Sequence, residues 1–234
     1  MEAASHAHDH VELLATVAHE LRNPLAAIQA AARILGNHEH DARGREEARA
    51  AIDRQVMRIA RLSDDLLDAG YLSSGRPQLR MELIDLRELI NAAAAACRPQ
   101  LEAGHFATVL LLPPHPVMIE ADPIRLGQVI TNLLDNAAKF SEPYGMIVVG
   151  LDDNSGVVSL RVVDHGIGIP AEMLPRIFDP FVQVDSVRLR SNSGIGIGLH
   201  VVKRIVELHR GTVKAFSAGP DMGSTFTVRL PRHT

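Results

Sequence analysis

The chain has 234 residues, of which 46% are hydrophobic and 22% charged, the profile of a soluble globular protein with one or two cored domains. Its formal charge of -4, with basic residues interleaved among acids, gives no electrostatic case for nucleic acid, and no apolar run reaches the ~18 residues that a bilayer demands. The single cysteine, Cys97, excludes an internal disulfide and fits a reducing compartment, while the polar, acidic N-terminus is unlike a signal peptide.

Residues from about 8 to 72 carry a helical pattern. Val11, Leu14, Ala18, Leu21, Leu25, Ile28, Ala32 and Leu35 alternate three and four apart, an unbroken heptad seam. Pro24 interrupts it locally, because Asn followed by Pro is a helix-start signal and the residue before a proline is pushed from helical angles. The heptads keep one register on both sides, so one long helix is expected to pass through Pro24. The proline strips the Glu20 carbonyl of its helical partner at an intrinsic cost of about 3 kcal/mol, offset by seam packing. Gly36, Asn37 and Gly44 supply a turn region, and a second seam follows through Ile52, Val56, Ile59, Leu62 and Leu66. Tyr71–Pro77 reads as a linker. Two amphipathic helices bury little surface alone, so pairing of two hairpins into a dimeric four-helix bundle is expected.

From about residue 78 the character changes. Helical stretches at Leu86–Ala103 and Pro123–Phe140 alternate with β-rich runs at 117–120, 146–151, 157–164, 212–216 and 224–230. Asp152–Gly156 and Ala218–Gly223 read as hairpin turns, and Asp122 before Pro123 is a cap followed by a proline at the first helical position. The fold class is therefore α plus α/β: an N-terminal antiparallel helical hairpin, then an α/β sandwich whose mixed sheet is covered by helices on one face.

On the helix after Asp122, Asn132, Asn136 and Lys139 fall within roughly 60° of one another, opposite an apolar face. Amide oxygens suit Mg²⁺ and an ammonium suits phosphate oxygens; a solvated polar face is the plain alternative. In VVDHGIGIP a strand ends on Asp164, an acceptor for an exocyclic amine, and Gly166 and Gly168 let backbone approach a flat ring. Gly194, Gly196 and Gly198 open a further helix whose N-H groups can receive phosphate. G-x-G-x-G after a polar loop lacks the spacing and context of a dinucleotide fingerprint; a glycine-hinged loop closing over a nucleotide fits better. The histidines of HAHDH (6–10) and HEH (38–40) are two apart, which does not place ligands on one helix face, so they read as solvated.

Taken together these stretches resemble the histidine kinases of two-component signalling over nearly the whole chain. HELRNP is similar to the phosphoacceptor box, NLLDNAAKF to the N box, DHGIGIP to the first glycine box, FDPF to the F box and GIGIGL to the second glycine box, in the family's order. Departures are Ile197, where leucine is commoner, and His209-Arg210-Gly211 in place of His-Gly-Gly.

The resemblance implies a protein-histidine kinase acting with ATP and Mg²⁺. His19 is then the phosphoacceptor, Glu20 the base that takes the ring proton, and Asn23 either the residue that orients water for dephosphorylating a receiver or a helix cap. Asp164 binds adenine, Asn136 holds Mg²⁺, Asn132 and Lys139 line the phosphates, Phe178 and Phe181 anchor the lid, and Gly194, Gly196 and Gly198 let it close. The implied domains are 1–74 for dimerisation and phosphotransfer, 75–80 as linker and 81–234 for ATP binding, in a cytoplasmic homodimer that serves a response-regulator receiver. The chain is either the kinase core of a longer protein or a small kinase signalled by a partner. A hydrolase like DNA gyrase or the heat-shock chaperones would carry a glutamate four residues before the metal-binding asparagine, where this chain has Asn132. A nucleotide-binding scaffold without activity would not need His19, Glu20, Asn136 and Asp164 together.

Overall fold

The computed structural model describes residues 2–36, 42–73, 78–154, 156–182 and 196–232. The chain divides between Gly70 and Tyr71 into a helical unit and a mixed α/β unit.

The helical unit holds α1 (Glu2–Gly36) and α2 (Ala42–Ser73). Pro24 sits inside α1, as the preserved register requires. Among the residues whose side chains are described, the buried ones are Pro24 and Ala31 on α1 and Ala48 and Leu62 on α2. Three large seam residues remain open, Leu25 at 49%, Leu35 at 38% and Val56 at 50% exposure, with Met57 and Leu67 also exposed on α2, while Leu21, Ile28, Ile52, Ile59 and Leu66 are half-buried. The apolar stripe of each helix is wider than one neighbour can cover. Two boundary expectations change. Tyr71–Ser73 continue α2 instead of starting a linker, and Gly44 lies in the first turn of α2. Asn37 and the histidines of HEH lie outside the described residues.

The second unit contains β1 (Glu82–Asp85), α3 (Leu86–Ala103), β2 (Ala107–Leu111), β3 (Met118–Ala121), α4 (Pro123–Phe140), β4 (Met146–Asn154), β5 (Val157–Asp164), α5 (Gly198–Leu208), β6 (Thr212–Phe216) and β7 (Ser224–Pro231). The main sheet runs β2-β4-β5-β7-β6, with β2 parallel to β4 and every other pair antiparallel. β1 pairs antiparallel with β3 in a separate ribbon. Alternation decides the faces: Ile147, Val149 and Leu151 of β4, Val158, Leu160 and Val162 of β5, and Phe226, Val228 and Leu230 of β7 are all buried. Against them lie Ile90 and Cys97 of α3, Val129, Ile130, Leu133 and Leu134 of α4, and Val201, Val202, Ile205 and Val206 of α5. The other face carries exposed Arg161 and Phe216, so helices cover one side only.

β1 and β2 are the strands that the sequence pattern did not reveal. β1 is four residues long and exists through its ribbon with β3, while β2 draws its hydrogen bonds from a parallel partner about forty residues on. Neither has a strong alternation of its own.

Candidate nucleotide-binding site and phosphoacceptor helix

α4 is the central element of the site. The Asp122 carboxylate caps it, accepting from the N-H groups of Ile124 and Arg125 at 3.1 Å each, with Pro123 at the first position. The other carboxylate oxygen accepts from Arg80 N at 2.9 Å. Burial pushes the Asp122 carboxyl up, but these N-H groups outweigh it and leave it below its ordinary value. α3 is capped in the same way by Asp85, whose side-chain hydrogen bond with Arg87 holds its carboxyl down at about 2.

Leu133, Leu134 and Ala137 bury one face of α4, which leaves Asn132, Asn136 and Lys139 half-buried along the other. Asn132 Nδ2 reaches the Gly198 carbonyl at 3.5 Å, bringing the start of α5 to this face. The Lys139 ammonium lies 4.8 Å from the Phe140 ring centroid. The Asn136 amide makes no side-chain hydrogen bond among the described residues, so its oxygen is open to a hard cation.

At the end of β5, Asp164 is 5% exposed. Its Oδ1 accepts from Gly166 N at 2.9 Å and Ser224 N at 3.2 Å, and its Oδ2 accepts from the Ser224 hydroxyl. The loop behind it is stitched to α4, since Ile167 N donates to the Phe140 carbonyl at 3.0 Å. Gly166 is dictated by this stitch: a Cβ there would collide with the Phe140 carbonyl oxygen. Gly168 follows in the same loop, with its N-H neighbour Ile169 held by Ser217 Oγ at 3.0 Å.

Phe178 is buried and meets Phe226 edge-on, with centroids 6.4 Å apart. Phe181 adopts φ 66° and donates its N-H to the Gly196 carbonyl at 3.0 Å. Gly196 itself has φ 79°, and a Cβ on it would lie 2.7 Å from the Val182 carbonyl oxygen, so both conformation and space require glycine. α5 begins at Gly198 behind Ile197, without a side-chain cap. Its first N-H groups are therefore unclaimed by a capping side chain and face the end of highest positive potential.

The structure thus assembles Asn132, Asn136, Lys139, Asp164, Gly166, Gly168, Phe178, Phe181, Gly196 and Gly198 within the second unit. Gly194 lies outside the described residues. His19, Glu20 and Asn23 belong to the helical unit, on α1. Asn23 is exposed in mid-helix, so the cap role is not open to it. Sequence reasoning passed over Ser224, which fixes Asp164, along with Ser217 and His200. Nothing local marks these residues; their partners lie far off in sequence.

The chain contains a helical unit and a mixed-sheet α/β unit, and family comparisons specify the class. Residues 121–234 match the "Histidine kinase-, DNA gyrase B-, and HSP90-like ATPase" family, and residues 9–75 match the "His Kinase A (phospho-acceptor) domain". The chain belongs to the histidine kinase family, with a phospho-acceptor domain followed by an ATPase domain of that family. It is 35% identical over 219 residues to the sensor histidine kinase RcsC of Escherichia coli (strain K12), covering 93% of this chain and 23% of RcsC. The chain thus spans about a quarter of that relative's length. Among solved structures, full-length ShkA in complex with AMPPNP aligns with TM-score 0.70 and 28% identity over 95% of this chain and 46% of that one. Histidine kinase ThkA in complex with response regulator TrrA aligns with TM-score 0.72 and 25% identity, covering 95% and 61%. Among the described residues no helix is long and apolar enough to cross a membrane.

Proposed function

We propose that this chain transfers the γ-phosphoryl group of ATP to His19 and then to an aspartate of a response-regulator receiver. The observation that carries the reading is the pairing of a phosphoacceptor domain and an ATP-binding domain in one chain, with His19, Glu20, Asn136 and Asp164 all present. In the first step a ring nitrogen of His19 attacks the γ-phosphorus. An N–P bond forms, the bond to the β–γ bridging oxygen breaks, ADP leaves, and Glu20 takes the ring proton. Asp164, held rigid by Ser224 and Gly166, is oriented to accept from the adenine amine. Asn132, Lys139 and the N-H groups at the start of α5 lie along the phosphates. Asn136 would hold Mg²⁺, which supplies neutralisation of phosphate charge when bound. Phe178 and Phe181, with Gly194, Gly196 and Gly198, form the flanks of the lid.

Three further parts of the reading follow. The domains are 1–74 for dimerisation and phosphotransfer, 75–80 as linker and 81–234 for ATP binding. The exposed Leu25, Leu35, Val56, Met57 and Leu67 support a homodimer, in which a second copy covers the stripe each helix leaves open. The receiver partner is supported by the ThkA–TrrA complex; Asn23, exposed on α1, would orient water for receiver dephosphorylation, in the cytoplasm.

The test is incubation of the full chain with ATP labelled at the γ-phosphate. Acid-labile, base-stable label that vanishes in His19→Gln is expected; a wild-type chain that acquires none overturns the reading.

A further inference from the structure

His200 belongs to none of the five motifs, yet it directly follows one and hydrogen-bonds to another. It occupies the first turn of α5, two residues after Gly198, and its ring is half-buried. Its Nδ1 lies 3.2 Å from the Phe178 carbonyl oxygen. A carbonyl only accepts, so Nδ1 carries the proton and donates. This bond crosses 22 residues of sequence. It ties the main chain of FDPF to the first turn of α5, a helix start without a side-chain cap.

Besides this tie, one main-chain hydrogen bond among the described residues joins the two segments, from Phe181 N to the Gly196 carbonyl at 3.0 Å, two residues before α5. Phe178 meets Phe226 edge-on through its ring, which anchors the side chain but not its carbonyl. On the other side Asn132 reaches Gly198 only at 3.5 Å. Ile197, at the cap position, offers no side-chain hydrogen bond. The His200 bond is a side-chain link from α5 to the Phe178 main chain, and it acts on a helix start that has no cap to fix it.

We propose that His200 is a positioning residue for the nucleotide, holding the Phe178 main chain against the first turn of α5 so that the phosphate-facing N-H groups keep their place. The inference rests on the kinase reading above. It touches no reacting atom. Its contribution belongs to binding shared by ground and transition states, so it bears on KM and not on kcat. Loss of one hydrogen bond of this kind corresponds to about three- to tenfold in affinity.

The experiment uses the full chain, with AMPPNP affinity measured by calorimetry and autophosphorylation kinetics measured against ATP. Three variants are compared: His200→Ala, His200→Phe, which keeps a ring without a donor, and His200→Asn, whose Nδ2 stands where Nδ1 stood. The expected result is a KM for ATP and an AMPPNP Kd raised about three- to tenfold in the Ala and Phe variants, with kcat within about twofold. Asn should restore both. A merely structural ring would be replaced best by Phe, so a Phe variant that binds like wild type, or an Asn variant that binds like Ala, overturns the inference while the kinase reading stands. Should Ala fail to fold, the Phe and Asn pair decides. A wild-type chain that binds no nucleotide removes the kinase reading and this inference together.

Discussion

His209 Nε2 accepts a hydrogen bond from the main-chain N-H of Asp122 at 3.0 Å, across 87 residues of sequence, and both residues are buried. The same ring donates from Nδ1 to the Ile205 carbonyl at 2.8 Å. The two partners fix the tautomer: Nδ1 is protonated and Nε2 bare. One imidazole therefore locks the end of α5 to the start of α4, the helix that carries Asn132 and Asn136. His209→Phe keeps the volume and removes both bonds. It leaves the buried Asp122 N-H without a partner and should cost about 2 kcal/mol, measured by urea unfolding.

Arg210 follows at φ 57°, a left-handed conformation that an L side chain enters at a cost of about 1–2 kcal/mol. Its N-H donates to Glu207 O, closing the end of α5, so the conformation serves the turn and not the arginine. Arg210→Gly should raise stability by about 1 kcal/mol in the same urea measurement. The kinase family more often places glycine here, and the backbone angle supplies the reason.

Asn136→Ala should abolish phosphorylation of His19, because it removes the amide oxygen proposed for Mg²⁺. His19→Gln should abolish labelling too, while AMPPNP affinity stays at the wild-type value. Chelation of divalent metal should reproduce the first result in wild type. Near-normal label in Asn136→Ala would remove that residue from the site.

Two groups give stability a pH dependence of predictable sign. Asp85 is held at about 2 against an ordinary 3.8, chiefly by Arg87, so the folded chain binds fewer protons there than the unfolded one. That contribution is present above 3.8 and lost as pH falls toward 2. His200 is lowered from 6.5 first by burial, then by Arg204 and Lys203, against the raising effects of the Phe178 carbonyl and Glu207. Below 6.5 the unfolded chain takes up the proton more readily, so stability declines on acidification from that point. Thermal melts should show a shallower decline below 6.5 in His200→Asn, and a shallower one below 3.8 in Asp85→Asn.

Pro24→Ala restores a donor for the Glu20 carbonyl inside a helix that runs continuously past it. Pro24 is buried where Asn23 and Leu25 are exposed, so the gain in helix propensity, up to about 3 kcal/mol, is reduced by lost packing. The variant should be the more stable, and its ratio of kinase to receiver-phosphatase activity should shift if bending near His19 separates the two reactions. Unchanged rates for both would reject that role for the proline.

Much of the fold was legible before any coordinates. α3, α4 and five of the seven strands lie where apolar period and cap signals put them, because those signals act within a few residues. The passage of α1 through Pro24 was equally legible, since heptad register is a regional property that outweighs one local stop signal. β1 and β2 were not, because short strands are stabilised by partners and not by their own pattern. Within one chain, burial falls on Leu62 of the seam and on Pro24, Ala31 and Ala48 off it, while Leu25, Leu35 and Val56 of the seam stay exposed.

The sequence by itself determined the family, the alternation of elements and the groups proposed for the chemistry, from His19 to Asp164. Each of those is written in contiguous residues whose spacing has a direct physical meaning. Only the tertiary structure decided how the groups in the ATP-binding unit are held: Asp164 by Ser224, α4 by His209, the start of α5 by His200. These partners meet across 60, 87 and, through Phe178, 22 residues of chain. A hydrogen bond between distant residues leaves no periodic trace in the sequence, because its geometry exists only after the sheet and helices have packed.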